Sequence, residues 1–211
     1  MTSGHAPFEV DGVRGVLHAP VGTARGGLML THGAGGNCEA PLLLAAAAAF
    51  AAAGLAVLRI DLPFRQRRRT GPPPRDGGAE DRQALRAAVL ALRTRADAPI
   101  FLGGHSYGGR QASMLAADEP ELAAGLLLLS YPLHPPKRPE ALRTAHFPRL
   151  RTPAVFVHGA SDGFATSAEL DAAVALIPAS TAIVPVAGAG HDLKRGRIDF
   201  APVVAALLAG D

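Results

Sequence analysis

The sequence predicts a three-layer α/β/α sandwich built on a mostly parallel, doubly wound sheet with a minimal lid. Short apolar runs alternate with segments of helical periodicity, which is typical of parallel strands joined by helices. One of these runs leads directly into a Gly-rich turn and a helix of small residues. The runs that predict strands are residues 27–31, 55–60, 99–104, 125–130, 154–158 and 181–186.

The helices are predicted by spacing and by end signals. Thr166 and Glu169 form the pattern of a capping box, in which each residue satisfies a backbone N–H of the first turn. Residues 9–21 predict an antiparallel pair at one edge of the sheet. Apolar or small residues recur at helical spacing in 42–53, in 108–117, in Leu85, Ala88, Val89 and Leu92, and in Phe200, Val203, Val204, Leu207 and Leu208.

The composition is that of a single globular domain covering residues 1–211. Of the 211 residues 48% are hydrophobic and 18% are charged, which is an ordinary balance for a soluble fold. Cys38 is the single cysteine and has no partner for an internal disulfide. Glu9 and Asp11 stand where a signal peptide would be apolar, so a cytoplasmic location is expected.

Membrane and nucleic-acid partners are not expected. Residues 40–58 carry no charge, but much of the stretch is alanine and Gly54 divides it into a helical and a strand-like part. Each part is too short to cross a bilayer. The net charge is only +3 and no aromatic residues stand among the arginines of 65–75, which disfavours nucleic-acid binding.

Residues 103–109 hold the most informative motif of the chain. They contain Gly-x-Ser-x-Gly with Ser106 between Gly104 and Gly108, directly after a predicted strand. Such a turn lifts a serine hydroxyl out of the sheet to where a base can reach it, and the glycines allow the backbone to pack closely. The alternative is a tight strand-to-helix turn whose glycines serve packing alone.

An acid and a base are expected later in the chain than Ser106. Serine hydrolases with this turn carry first their acid and then their histidine later in the chain. Asp162 follows the strand 154–158 and is the candidate acid. His191 stands in a loop of small residues after the last strand and is the candidate base. Competing residues are Asp171, Asp192 and Asp199 for the acid and, least clearly structural among the other histidines, His134.

The Gly-rich loop after the first parallel strand predicts an oxyanion site. Acyl transfer needs backbone donors at the developing negative charge, and we assign the N–H groups of Ala34 and Tyr107, with Gly35 as a substitute for Ala34. Glycine-rich loops also bind phosphate, so a phosphate cradle or a plain flexible connection is the alternative. The nucleotide-binding glycine patterns are not found at this position.

Three residues are assigned to substrate binding: Arg65, Gly35 and His105. The Arg-rich segment 65–75 follows a strand and emerges at the same sheet edge as Ser106, where its charge could attract an anionic substrate. A solvated basic loop is the alternative, and His105 is equally open to a structural role. The Pro-rich connection 131–151 stands where larger hydrolases insert a lid, and its short length predicts an open site.

Four segments together resemble the α/β-hydrolases of the small, lid-poor kind. Within them the chain is similar to a group of predicted hydrolases that includes a testis-expressed protein and a subunit of a histone acetyltransferase complex. Dienelactone hydrolases are a more distant likeness and carry Cys where this chain has Ser106. Gly163 departs from the group, which has Pro after the acid. The matching segments are 31–36, 103–109, 129–136 and 157–162, followed by His191.

The resemblance and the motifs imply a serine hydrolase that cleaves a small or medium ester or thioester through an acyl-enzyme on Ser106. No metal or organic cofactor is expected, and the substrate could be anionic. The alternative is a non-catalytic scaffold of the same fold that binds a partner protein. A lipase is a third interpretation, disfavoured by the short connection 131–151. The oligomeric state is left open.

Overall fold

A central sheet with helices on both faces organises the molecule. The computed structural model describes residues 4–95, 98–196 and 198–209. Within these residues the sheet has eight strands in the order β1-β2-β4-β3-β5-β6-β7-β8. The strands are β1 His5–Val10, β2 Val13–His18, β3 Gly26–Thr31, β4 Leu55–Ile60, β5 Ile100–His105, β6 Gly125–Leu129, β7 Ala154–Gly159 and β8 Thr181–Val186.

All six predicted strands are present, and they pair in parallel from β4 to β8. The predicted edge pair is also present, but it spans β1 and β2 and starts earlier than expected. Its turn is Asp11 and Gly12, both at positive φ (50° and 79°). An Asp-Gly pair is a strong signal for a two-residue hairpin turn, and it places the strands on either side of itself.

The helices agree with the periodicity except in the basic segment. The capping box forms as predicted, with Thr166 accepting from the N–H of Glu169. The segment 65–75 was expected to be a loop, yet it begins in a short helix in which Pro63 holds the first turn and Phe64 is buried. The helices are α1 Pro41–Ala52, α2 Pro63–Arg67, α3 Gly78–Arg93, α4 Tyr107–Asp118, α5 Ser167–Val174 and α6 Phe200–Leu208.

Two apolar cores lie on opposite faces of the sheet and make the three layers. One core packs α3, α4 and α5 against the sheet. The other packs α1 and α6 against the opposite face. Because side chains of one strand alternate between the faces, β6 supplies Leu126 and Leu128 to the first core and Leu127 and Leu129 to the second.

The connection between β6 and β7 is packed onto the domain. Among the described residues it holds a single helical turn, the 3-10 helix Phe147–Arg149. The rings of Tyr131 and Phe147 are 5.2 Å apart, and the Tyr131 hydroxyl donates to the carbonyl of Arg143 at 2.7 Å. These contacts hold the connection against the domain.

The uncharged stretch 40–58 is divided as the sequence predicts. Gly54 lies at φ 91° between α1 and β4, a conformation that glycine adopts without strain. Among the described residues, no helix has the length and apolar character that crossing a membrane requires.

Gly103 should be intolerant of any side chain. A Cβ there would lie 2.4 Å from the carbonyl oxygen of Leu127 on the neighbouring strand, so Gly103→Ala must push two central strands apart. Overpacking of this kind costs about 1–3 kcal/mol. Urea unfolding should show that loss for Gly103→Ala, whereas Gly163→Ala, where a Cβ meets no atom within 4 Å, should change the free energy of unfolding by under about 1 kcal/mol. Equal effects of the two substitutions would contradict the packing account.

Candidate active site

Ser106 occupies a strained turn between β5 and α4. Its backbone lies at φ 51° and ψ −115°, a region that side-chain-bearing residues rarely adopt. The turn is held by the Ser106 N–H, which donates to the carbonyl of Leu129 at 2.8 Å, and by the Ser106 carbonyl, which accepts from the N–H of Arg110 at 2.9 Å. The hydroxyl therefore stands at the carboxyl edge of the sheet.

The glycines on either side of Ser106 are required by contact. A Cβ on Gly104 would lie 2.8 Å from the carbonyl oxygen of Thr31, and one on Gly108 would lie 2.5 Å from that of His32. Real Cβ atoms do not approach so closely, so strand β5 and helix α4 can meet the loop after β3 only without side chains at these positions.

Ser106, His191 and Asp162 form one continuous hydrogen-bonded relay. The Ser106 hydroxyl lies 2.7 Å from Nε2 of His191, and Nδ1 of His191 lies 2.8 Å from Oδ2 of Asp162. Because a carboxylate only accepts, Nδ1 carries the proton and Nε2 is free to accept from the serine. The relay has the donor and acceptor order of a serine nucleophile with its base and its orienting acid.

Asp162 is enclosed, and its oxygens are used. Its side chain has 0% exposure, against 20% for His191. The N–H of Phe164 donates to its Oδ1 at 2.8 Å, and His191 occupies its other oxygen. These bonds offset part of the cost of burying a carboxylate. The competing carboxylates are placed differently, since Asp192 pairs with Lys194 and Asp199 caps helix α6 by accepting from the N–H of Ala201.

The acid loop and the histidine loop are joined by their backbones. The N–H of Ser161 donates to the carbonyl of Ala189 at 2.8 Å. A Cβ on Gly159 would lie 2.6 Å from the same oxygen, so this glycine permits the approach. The Phe164 ring stacks on the His191 imidazole with centroids 3.9 Å apart, which leaves the imidazole little freedom to turn.

His105 stands beside the relay. Its Nε2–H donates to the carbonyl of His191 at 2.9 Å, and burial lowers the pKa of its imidazole, which keeps the ring neutral near pH 7. It lines the same cleft as Ser106. The geometry thus ties His105 to the histidine loop, and its assignment to substrate binding stays a prediction.

Two backbone donors flank the serine. Ala34 lies in the loop after β3 and Tyr107 is the first residue of α4; both line the cleft. Within the described part of the chain neither N–H donates to a protein acceptor. A Cβ on Gly33 would lie only 3.3 Å from Cβ of Ser106, so the loop passes directly against Ser106. This is the arrangement expected of an oxyanion site.

Arg65 holds this loop and does not face the cleft, so its predicted contact with substrate is wrong. It is 5% exposed, and it is not among the lining residues. Its guanidinium donates to the carbonyls of Gly36 at 2.7 Å and Ala34 at 2.9 Å, and also to those of Arg68 and Gly71. Because the carbonyl of Ala34 is held from behind the loop, the N–H of Ala34 is left to face the cleft, whereas the N–H of Gly36 donates to the carbonyl of Gly33.

Two further side chains support the Gly-rich loop after β3, called the oxyanion loop below, and the strained turn at Ser106, called the elbow below. Buried His32 accepts from the N–H of Leu62 through Nε2 and donates through Nδ1 to the carbonyl of Gly33. The Tyr107 hydroxyl donates to Asp81 at 2.6 Å. Burial raises the pKa of both Tyr107 and Asp81. These contacts fix the residues next to the candidate backbone donors.

Ser106 opens into a cleft of about 1220 Å³. Gly35 and His105 line it, as expected. The sequence analysis did not assign three arginines and two phenylalanines to this cleft: Arg82, Arg110, Arg143, Phe164 and Phe200. Arg110 could have been found, because it lies one helical turn after Ser106. His134 is outside the lining and donates through Nδ1 to the carbonyl of Pro135.

Metal-binding clusters are not found in the described residues: in 4–95, 98–196 and 198–209 no three His, Cys, Asp or Glu side chains converge in a way that could hold an ion.

Comparison with known proteins agrees with this architecture. A family described as the alpha/beta hydrolase domain matches residues 24–200. The chain belongs to that family. The match shows the α/β-hydrolase fold and supports a hydrolytic role for the chain.

Solved structures of similar fold come from several bacteria. The dienelactone hydrolase of Anabaena variabilis is 23% identical, with a TM-score of 0.70 over 99% of this chain and 94% of that one. A serine hydrolase without a lid from Xanthomonas campestris is 16% identical, with a TM-score of 0.70 over 100% and 94%. Est1E from Butyrivibrio proteoclasticus is 17% identical, with a TM-score of 0.71 over 97% and 96%. At these identities the likeness concerns the fold.

Arg65 should be a stability determinant, in contrast to its neighbours in the basic segment. Arg65→Met would remove the donor of four part-buried hydrogen bonds, and a hydrogen bond to a charged group contributes about 1.5–3 kcal/mol. We expect urea unfolding to show a loss of at least about 2 kcal/mol. Arg68 is exposed and its side chain bonds only to the carbonyl of Pro72, so Arg68→Met should lose under about 1 kcal/mol. A loss for Arg65→Met no larger than for Arg68→Met would contradict the role of Arg65 in holding the loop after β3.

Proposed function

We propose that this protein is a serine hydrolase that cleaves a small or medium ester or thioester through an acyl-enzyme on Ser106. The observation that carries the proposal is the unbroken relay from the Ser106 hydroxyl through His191 to the buried carboxylate of Asp162. A structural serine has no need of a base at 2.7 Å that is itself oriented by an enclosed acid. The three groups are the parts that nucleophilic catalysis by serine requires.

The first half of the reaction forms the acyl-enzyme. Ser106 Oγ attacks the substrate carbonyl while Nε2 of His191 takes the hydroxyl proton. Negative charge moves to the carbonyl oxygen, which accepts from the N–H groups of Ala34 and Tyr107. Asp162 holds the imidazolium in place. The tetrahedral intermediate then collapses, the bond to the leaving group breaks, and His191 returns its proton to the leaving alcohol or thiol.

The second half reverses the roles with water as nucleophile. His191 takes a proton from water, the hydroxide oxygen bonds to the acyl carbon, and the same backbone donors stabilise the charge. The bond from Ser106 Oγ to the acyl carbon breaks, and Oγ regains the proton from His191.

The short connection between β6 and β7 favours small or medium substrates that enter the cleft directly from solvent. Within the family, the four segments matched by sequence favour placing the chain with the predicted hydrolases named above.

Activation of Ser106 should be visible without knowing the substrate. A fluorophosphonate probe reacts with serines that are activated by a base, so the wild-type protein should be labelled at Ser106 and Ser106→Ala should not. Ser113, which is fully buried, provides the control: Ser113→Ala should retain labelling. Label that persists in Ser106→Ala, or a folded wild-type protein that takes no label, would remove the basis of the proposal.

The relay should behave as one unit in kinetics. Ser106→Ala and His191→Ala should each lower turnover of p-nitrophenyl acetate by about 10³-fold or more, and the double variant should be little worse, since residues that act together are not additive. Asp162→Asn should also lower kcat because it disturbs the tautomer of His191.

Asp192 is the matched control for the acid, since it lies next to His191 in the chain but pairs with Lys194. Asp192→Asn should leave kcat within about two-fold, an effect expected when no contact to the reacting groups is removed. A large loss in Asp192→Asn with full activity in Asp162→Asn would transfer the role of the acid to Asp192.

A further inference from the structure

Of the four arginines that line the active-site cleft, Arg75 is exposed and the other three are half-buried. Arg82 comes from α3, Arg110 from α4 and Arg143 from the connection between β6 and β7. Arg82 donates to the side chain of Gln111, the residue after Arg110 in the chain, at 2.9 Å. Burial and, to a smaller extent, the charge of Arg110 lower the pKa of Arg143. Like charges gathered in this way destabilise the fold unless an anion is placed among them.

Carboxylates of the described chain do not neutralise this cluster. Arg82, Arg110 and Arg143 form no ion pair with any described carboxylate. The nearby acids are engaged elsewhere: Asp192, which lines the cleft, pairs with Lys194, and Asp81 accepts from the Tyr107 hydroxyl while burial raises its pKa. Glu80 pairs with Arg67, and Asp118 pairs with Arg149. The positive charge is therefore directed into the cleft.

Arg110 is the member whose hydrogen-bonding capacity is least used. Its Nε is buried and has no acceptor among the described residues. A buried donor without a partner is costly, so it points to an acceptor supplied by a ligand. Arg143 donates only weakly, to the carbonyl of Pro132 at 3.3 Å. A guanidinium presents its donors in a planar fork that fits the two oxygens of a carboxylate or phosphate.

The position of Arg110 relates this cluster to the nucleophile. Arg110 follows Ser106 by four residues on α4, which is about one helical turn or 5.4 Å along the helix axis. Gly78, the first residue of the 16-residue helix α3, lines the cleft together with Arg75 and Arg82, and the positive end of that helix also favours an anion.

We infer that Arg110 and Arg143, assisted by Arg82, form an anion subsite that selects esters or thioesters carrying a second, charged group, a carboxylate or a phosphate, a few bonds from the scissile carbonyl. The inference rests on the proposed function and narrows it to anionic substrates. It also replaces Arg65 as the source of the positive charge that meets the substrate. Arg75, which is exposed at the cleft, adds to the field at the entrance.

The first test compares matched esters. Mono-p-nitrophenyl adipate carries a free carboxylate on the acyl side, and its methyl ester does not. A second pair, the butyrate esters of 4-hydroxyphenylacetic acid and of its amide, places the charge on the leaving group. In at least one pair the wild-type kcat/KM should favour the anion by roughly 10- to 100-fold, the range expected of charge-assisted hydrogen bonds.

The variants assign that preference to the cluster. Arg110→Gln and Arg143→Gln should each lower the ratio of anionic to neutral kcat/KM by about ten-fold or more. Arg86→Gln is the control, because Arg86 lies one turn beyond Arg82 on α3 and pairs with Glu119 outside the cleft; its ratio should equal that of the wild type. Two separate cluster variants keep the test valid if one of them does not fold.

A binding measurement separates this inference from the proposed function. Adipate or inorganic phosphate should raise the Tm of the wild type and of Ser106→Ala, and should raise it less in Arg110→Gln and Arg143→Gln; the two ions distinguish carboxylate from phosphate recognition. If fluorophosphonate labelling fails while this anion effect is present, the proposed function falls and the subsite remains. Esterase activity with no anionic preference in either pair, and no Tm shift that depends on Arg110 or Arg143, would overturn the subsite alone.

Discussion

The close approach of two backbones at Ser106 is the constraint on which the rest of the molecule depends. Strand β5 ends, the chain turns through a strained residue at φ 51°, and α4 begins at once. The turn is possible because Gly104 and Gly108 let the elbow touch the carbonyls of Thr31 and His32. That contact fixes the loop after β3 against the nucleophile. Strain at Ser106 is sustained because strands on both sides of β5 hold it in place.

The relay depends in turn on a second approach, between the loops after β7 and β8. Their mutual backbone bond, from Ser161 to Ala189, places an acid and a histidine from separate loops side by side. Burying the carboxylate of Asp162 would be unfavourable by itself. Hydrogen bonds from the N–H of Phe164 and the imidazole of His191 offset this cost. The contact that orients the imidazole therefore also stabilises the buried carboxylate. Function and local stability are coupled at this point.

The parts that could be predicted from the sequence are those indicated by neighbouring residues or by the order of residues along the chain. Buried parallel strands are short apolar runs, and the elbow is a contiguous motif, so the strands and Ser106 were found directly. Asp162 and His191 were assigned because chain order restricts where an acid and a base can stand, and the structure places their side chains together with Ser106. The burial of Arg65 could not be predicted, since its acceptors Ala34 and Gly36 lie about thirty residues away in the chain. The short helix α2 was missed because five residues carry too little periodicity.

The number of arginines in a segment of the sequence does not predict which of them carry unpaired charge in the folded protein. The segment 65–75 is rich in arginine, but the Arg65 guanidinium donates to backbone carbonyls and Arg67 is paired with Glu80. Arg110 stands alone in the sequence, but the helix brings it to the cleft and tertiary packing leaves its Nε without an acceptor. A charge in water is screened, whereas one with its hydration removed interacts strongly with whatever ion reaches it. The electrostatic character of the cleft therefore follows from which cations are unpaired and partly buried, a property of the folded structure that counting arginines along the chain does not reveal.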